Sequence, residues 1–127
     1  DGYAALARLQ EAALQAKAGN AAAAVSIYDK LSTDTSVDRA FRELAVILVA
    51  LQTLDTATPA DLTARLAPLT AADNPWRYTA LELTGLLAKR GGDLEGARQI
   101  FAALADDLNA PQALRGRAAE LLAALKE

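Results

Sequence analysis

The 127-residue sequence predicts an all-α fold of about seven antiparallel helices, and three observations predict it. Ala (32) and Leu (22), both strong helix formers, supply 54 of the residues, whereas Val and Ile together supply 7. Glycine, proline and asparagine fall at intervals, as punctuation between alanine-rich stretches. Within those stretches the apolar residues recur every three or four positions.

The first segment, 2–18, is interrupted by Gly19-Asn20, where the glycine can end a helix in a left-handed conformation and Asn20 reads as the N-cap of the second, 20–33. The third, 38–54, carries Phe41, Leu44, Ala45, Val46, Ile47, Leu48, Val49 and Leu51, with few polar positions through its middle. It is therefore expected to be buried on most sides, at the centre of the stack. The fourth, 59–70, starts with Thr58 placed to accept from the amide of Asp61, Pro59 at the first helical position and Asp61 in the first turn. Asn74-Pro75 repeats that arrangement for the fifth, 75–90. Gly92 and the N-cap candidate Asp93 separate it from the sixth, 93–106, and Pro111 opens the seventh, 111–126. There Leu114, Ala118, Leu121, Leu122 and Leu125 form one stripe, leaving Arg115, Glu120 and Lys126 to the other face.

The chain has no His, Cys or Met. Without imidazole or thiolate there is no zinc site of the usual ligands, no Ser-His-Asp triad and no Cys-His dyad. Nothing implies a cofactor or a metal. The absence of Met, with Asp1 at the start, reads as a domain cut from a longer protein. The net charge of −3 comes from 13 basic and 16 acidic residues that are interspersed, which argues against a nucleic-acid or anionic-membrane surface. The longest apolar run, Leu44 to Leu51, is 8 residues, far below the roughly 20 of a membrane span.

The turns at Gly19-Asn20, Asp55 to Thr58 and Gly92-Asp93 lie 36 or 37 residues apart, a period of helical-hairpin solenoids. After the first and third turns one pattern recurs: Gly19, Ala24, Tyr28 and Leu31 align with Gly92, Ala97, Phe101 and Leu104. A small side chain lets two helices cross closely, and an aromatic one turn along the same face fills the gap beside it. Alanine is common enough here that a generic helical bundle would give some matches by chance. The doubled glycine, alanine and aromatic register favours the repeat. It resembles a tetratricopeptide repeat, with Gly85, and Ala12 in the first unit, at the family's small position before the turn. The resemblance implies a right-handed superhelix with units at about 2–33, 38–70 and 75–106 and a capping helix at 111–126, all in one domain spanning 1–127. The family's early aromatic is replaced by Arg8 and Leu81, and the middle unit keeps only Ala60 and the Leu62/Leu66 stripe.

A closer resemblance runs through Gly2-Tyr3-Ala4-Ala5-Leu6-Ala7-Arg8-Leu9, Ala16-Lys17-Ala18-Gly19-Asn20, Ile27-Tyr28-Asp29, and Asn74-Pro75-Trp76-Arg77 with Glu82-Leu83. Together these segments look like the periplasmic portion of the tetratricopeptide-like family of ancillary SecYEG translocon subunits. That resemblance implies a short cytoplasmic N-terminus, a single membrane span absent from this sequence, and a domain on the periplasmic side of the bacterial inner membrane. It further implies association with the Sec translocon and periplasmic chaperones.

Candidate chemistry is sparse. Asp106-Asp107, Asp93 with Glu95, and Asp34 with Asp38 fall at helix ends or in loops, where carboxylates serve as caps. The Gly91-Gly92-Asp93 turn is already negative and so is a poor anion site. Arg77, Lys89, Arg90, Arg115 and Arg117 are the densest basic residues, and Arg115 and Arg117 are expected to face Asp106-Asp107 across a short loop. Trp76 and Tyr78 read as a staple fixing the start of the fifth helix rather than as a binding platform.

If the repeat holds, the first helix of each pair lines a concave face. Aligning on the turns places Ala13, Ala16 and Lys17, then Arg42, Val49 and Gln52, then Glu82, Leu86, Lys89 and Arg90 there. Such a mixed surface suits an extended peptide or a partner helix. A carboxylate clamp is disfavoured, since Leu9, Ala13, Thr79 and Leu83 occupy its places. The expectation is a non-catalytic interaction module. The alternative is a soluble scaffold that self-assembles, with Tyr3, Ala4, Leu6 and Leu9 forming an uncovered face through which a homodimer could form.

Overall fold

In the computed structural model, which describes residues 2–125, the chain is all-helical: seven α-helices and a 3-10 turn, with no strand among the described residues. The helices are α1 Gly2–Lys17, α2 Ala21–Ser32, α3 Arg39–Thr53, α4 Pro59–Leu66, α5 Arg77–Arg90, α6 Leu94–Asp106 and α7 Gln112–Leu125; the 3-10 turn Ala67–Thr70 follows α4. Lys126, expected on the polar face of the last helix, lies outside the described residues, as does Asp1. Two compact units divide the chain, Asp1–Asp55 and Thr56–Glu127. Their boundary falls inside the 38–70 span that the repeat spacing groups together.

In the first unit α2 packs against both α1 and α3. Only three residues join α1 to α2, so two helices that lie against one another must reverse direction there. Gly19 makes the reversal possible with φ +87°, a conformation that costs a side-chain-bearing residue about 1 kcal/mol or more. Its N–H donates to the Ala16 carbonyl (3.1 Å) and that of Asn20 to the Gln15 carbonyl (2.8 Å), satisfying two carbonyls at the end of α1. The core is Ala5, Leu9, Ala12, Ala24, Tyr28, Leu31, Val37, Ala45 and Val49. Leu9 therefore belongs to this core, not to an uncovered face. It sits on the α1 stripe with Ala5 and Ala12, opposite Tyr3 and Leu6. In α3, Ile47 and Ala50 are buried as well, on the side of the helix away from Ala45 and Val49. This two-sided burial is what the near-absence of polar residues in that segment predicts.

In the second unit α5 packs against α4, the 3-10 turn, α6 and α7, and α6 packs against α7. Gly92, at φ +88°, repeats the role of Gly19: its N–H donates to the Lys89 carbonyl (3.1 Å), and that of Asp93 to the Ala88 carbonyl (2.9 Å). Each donor and acceptor lies 73 residues after its counterpart in the first unit. The same offset carries Ala24 to Ala97, Tyr28 to Phe101, Leu31 to Leu104, Val37 to Ala110 and Ala45 to Ala118, and every one of these residues is buried. Thus α1, α2 and α3 correspond in register to α5, α6 and α7.

Several starts differ from expectation. Thr58 and Pro59 take the N-cap and first helical positions, but the Thr58 side chain makes no cap bond. Asn20 occupies its N-cap without capping, because its amide donates back to Gln15 Oε1 (2.9 Å). Asp93 does cap, accepting from the Gly96 amide (2.9 Å). Asn74-Pro75 does not open α5 in the manner of Thr58-Pro59. The Asn74 Oδ1 accepts from the Trp76 amide (2.8 Å) and its carbonyl from the Arg77 amide (3.1 Å), so an Asx turn consumes three residues and α5 starts at Arg77. The fourth segment tightens into a 3-10 turn at Ala67–Thr70, where Pro68 has no N–H for the α ladder.

Candidate functional site

The face read from the repeat register lands unevenly. In the first unit Lys17, in the last turn of α1, and Gln52, near the end of α3, are exposed. Arg42 is half-buried, and its Nε is enclosed without a hydrogen-bond partner. Val49 is a correction: it is 2% exposed, in the core against α2, because the α3 stripe of Ala45 and Val49 faces inward. In the second unit Glu82, Leu86, Lys89 and Arg90 follow one another along one side of α5. Lys89 and Arg90 are exposed, whereas half-buried Leu86 rests on the core of α6 and α7. Glu82 is engaged by Arg117 of α7 through two contacts, Nε to Oε2 at 2.8 Å and an Nη2 to Oε1 at 3.0 Å. The hydrogen bond and charge of Glu82 raise the Arg117 pKa above its ordinary value.

That pair corrects the expectation that Arg117 faces Asp106-Asp107. Asp107 is instead approached by Arg77, with Nη2 at 3.7 Å from Oδ2, and accepts from the Tyr78 hydroxyl. The Arg77 guanidinium lies 4.8 Å from the Tyr78 ring centroid and donates to the Tyr78 hydroxyl at 3.3 Å. Desolvation first, then the hydrogen bond to Asp107, raise the Tyr78 pKa, with Arg77 opposing. Tyr78 also packs on the core of α6 and α7, and Trp76 is half-buried at the N-cap of α5.

Beside this cluster lies a mainly apolar cavity of about 250 Å³, lined by Leu81, Ile100, Ala103 and Leu104 together with Arg77, Gln99 and Asp107. The corresponding position in the first unit holds Arg8 instead of Leu81, and Arg8 Nη1 reaches Asp34 Oδ2 at 2.9 Å. The basic partner of the loop aspartate thus comes from Arg8 in one unit and from Arg77, one turn earlier in register, in the other. Asp34 is the counterpart of Asp107, and the two build matching turns: Asp34 Oδ1 accepts from the Ser36 amide (3.0 Å) and Asp107 Oδ1 from the Asn109 amide (2.9 Å). Hydrogen bonds from Ser36 and Arg8 hold the Asp34 carboxyl at a pKa of about 2. Sequence reasoning read these aspartates only as caps; the signal it passed over was their 73-residue spacing.

A second cavity, about 530 Å³, runs between α4 and α6 over α5, lined by small and apolar residues including Pro59, Ala60, Ala64, Leu87, Ala88 and Gly96. No protein-family model, curated protein or solved structure matches this chain. Among the described residues, no group of three or more His, Cys, Asp or Glu side chains is placed to hold a metal ion. None of the described helices is long and apolar enough to cross a membrane. Both cavities are lined mainly by apolar and small side chains, a lining suited to side chains of a bound polypeptide.

Proposed function

We propose that this chain is a non-catalytic protein-interaction module, the periplasmic domain of a bacterial inner-membrane protein that helps the Sec translocon and periplasmic chaperones meet. The observation that carries the module reading is the recurrence at 73 residues, down to the hydrogen bonds of Gly19 and Gly92 and the buried aromatics Tyr28 and Phe101. Repeated helical hairpins spend their conserved geometry on stacking and leave helix faces free for partners. In this reading the helices follow a tetratricopeptide-like right-handed superhelix, and Lys17, Gln52, Lys89 and Arg90 belong to its partner face. The translocon and chaperone assignment, the membrane tether and the periplasmic location rest on the resemblance of Gly2 to Leu9, Ala16 to Asn20 and Asn74 to Arg77 to the ancillary translocon family.

The test is affinity purification of the full-length protein from solubilised bacterial membranes, with quantitative identification of what comes with it. The proposal expects a translocon subunit or a periplasmic chaperone among the enriched proteins. Recovery of neither, from membranes in which both are present, would overturn the partner assignment.

A further inference from the structure

The two units differ at one matched place, which the first fills from its own chain and the second leaves open. In the first unit Arg8 extends from α1 and its Nη1 donates to Asp34 Oδ2 at 2.9 Å, so its side chain spans the space between them. The counterparts of Arg8 and Asp34 are Leu81 and Asp107, and both line the cavity of about 250 Å³. Leucine stops at Cδ, where arginine continues through Nε and Cζ to Nη1 and Nη2. The cavity therefore corresponds to the space that the guanidinium end of Arg8 takes in the first unit. Its apolar walls, Ile100 and Leu104, have Ile27 and Leu31 as counterparts, so both units offer the same backing to a side-chain stem. Arg77 does not fill the cavity. Its Nη2 stands 3.7 Å from Asp107 Oδ2, beyond hydrogen-bond distance, and its guanidinium lies against the ring and hydroxyl of Tyr78.

The charges around this space change with it. The last turn of α2 carries Lys30, a cation at the negative end of the helix dipole, whereas the last turn of α6 has no basic residue. Ala103 stands in place of Lys30, and exposed Asp106 in place of Thr33. Of these matched positions, those of the first unit hold two cations, Arg8 and Lys30, for the Asp34 carboxylate. Those of the second hold one cation, Arg77, for the two carboxylates Asp106 and Asp107. Asp107 also keeps acceptor capacity: it takes the Asn109 amide and the Tyr78 hydroxyl, and a carboxylate has about four acceptor positions. We propose that this cavity receives an arginine side chain of a bound polypeptide, its stem on Leu81, Ile100 and Leu104 and its guanidinium on the Asp107 carboxylate. The occupant is the group that the first unit supplies from its own α1. A planar guanidinium, less strongly hydrated than an ammonium and matched to a carboxylate, suits a mainly apolar cavity better than lysine does. This inference deepens the interaction-module reading by naming a side chain that the partner carries, and it rests on that reading.

The probe is the blocked peptide acetyl-Ala-Arg-Ala-amide, titrated into the isotope-labelled full chain while amide resonances are followed. The same peptide with citrulline or lysine in place of arginine, and the free guanidinium compound agmatine, are titrated beside it. Saturable shifts centred on Leu81, Ala103, Asp107 and Asn109 are expected, with a Kd of a few millimolar for a single side chain. Citrulline keeps the shape and loses the charge, and should weaken binding at least about tenfold. Asp107→Asn keeps an oxygen for the Asn109 amide and should weaken the arginine peptide by a similar factor, while Leu81→Arg places the first unit's side chain in the cavity and should abolish binding. Circular dichroism checks that each variant is folded, and the citrulline comparison on the unaltered chain decides without either variant. The proposal is overturned if the arginine peptide gives no saturable shift at these residues, if citrulline or lysine binds as well, or if either folded variant binds unchanged. It is also overturned if agmatine saturates the site and the peptide does not. Failure here with successful recovery of a partner from membranes removes the arginine site and leaves the module reading standing.

Discussion

A single methyl group separates Gly85 from alanine, and the ring of Phe101 stands where that methyl would go. An ideal Cβ at Gly85 would lie 2.6 and 2.9 Å from two Phe101 ring carbons, and Phe101 is 0% exposed, so the ring has little room to retreat. Alanine gains up to about 1 kcal/mol of helix propensity, but overpacking costs about 1–3 kcal/mol. Gly85→Ala is therefore expected to lower the unfolding free energy by about 1 kcal/mol in urea titration. Gly116→Ala, in α7 with no atom within 4 Å of its would-be Cβ, should raise it by about 0.5–1 kcal/mol. The need for a small residue at 85 is legible in the sequence, where Ala12 holds the equivalent place. That glycine alone fits follows from the ring position of Phe101, which a pattern of residue types does not contain. Asp34 carries a second prediction. Folding lowers its pKa from 3.8 to about 2, so its stabilisation is complete above the unfolded value and disappears as pH falls through the folded one. Wild type should melt above Asp34→Asn at neutral pH, and the gap in Tm should close between about pH 4 and pH 2. A gap that persists unchanged at pH 2 would show that the charge of Asp34 is not what the contacts with Ser36 and Arg8 stabilise.

At the scale of elements, the second turn of the repeat is better tied than the first. Asp93 caps α6 through the Gly96 amide, while Asn20 spends its side chain on Gln15 and leaves α2 uncapped. Asp93→Ala should cost about 1 kcal/mol and Asn20→Ala a few tenths at most, measured by thermal or urea unfolding. Equal losses would contradict the difference in capping. Helix existence and order were readable from punctuation and periodicity because Gly, Pro and the apolar stripes act locally. The start of α5 was not, since the same Asn-Pro pair can cap a helix or build an Asx turn, and burial of Asn74, 7% exposed, selects the turn here. Long-range ion pairs were likewise illegible. Arg117 reaches Glu82 across 35 residues, a choice set by the packing of α7 on α5 rather than by the nearby Asp106-Asp107.

At the scale of the whole molecule, the 73-residue recurrence of Gly19 and Gly92 was visible in the sequence, and the compact units into which its helices gather were not. The repeat spacing joins 38–54 to 59–70, whereas the compact unit ends at Asp55 and α3 packs on α2. Which neighbour a helix chooses depends on how its stripes face in three dimensions, and α3 has apolar residues on two sides. Of the residues placed on a partner face by register, Lys17, Gln52, Lys89 and Arg90 are exposed, Glu82 is engaged by Arg117, and Val49 is core. Exposure of a charged side chain is easy to anticipate, but which face of a helix turns inward is decided by its neighbours. The central claim, that this is a helical module which binds protein at the Sec translocon, is tested most directly by photo-crosslinking in living bacteria. A crosslinking residue would be placed in the full-length protein at Lys17, Gln52 or Lys89, with exposed Asp73 and Ala123 as comparison sites. The account predicts crosslinks to a translocon subunit or a periplasmic chaperone from the first three positions and not from the comparison sites. Crosslinks that are absent, or that are equally abundant at all five positions, would contradict it.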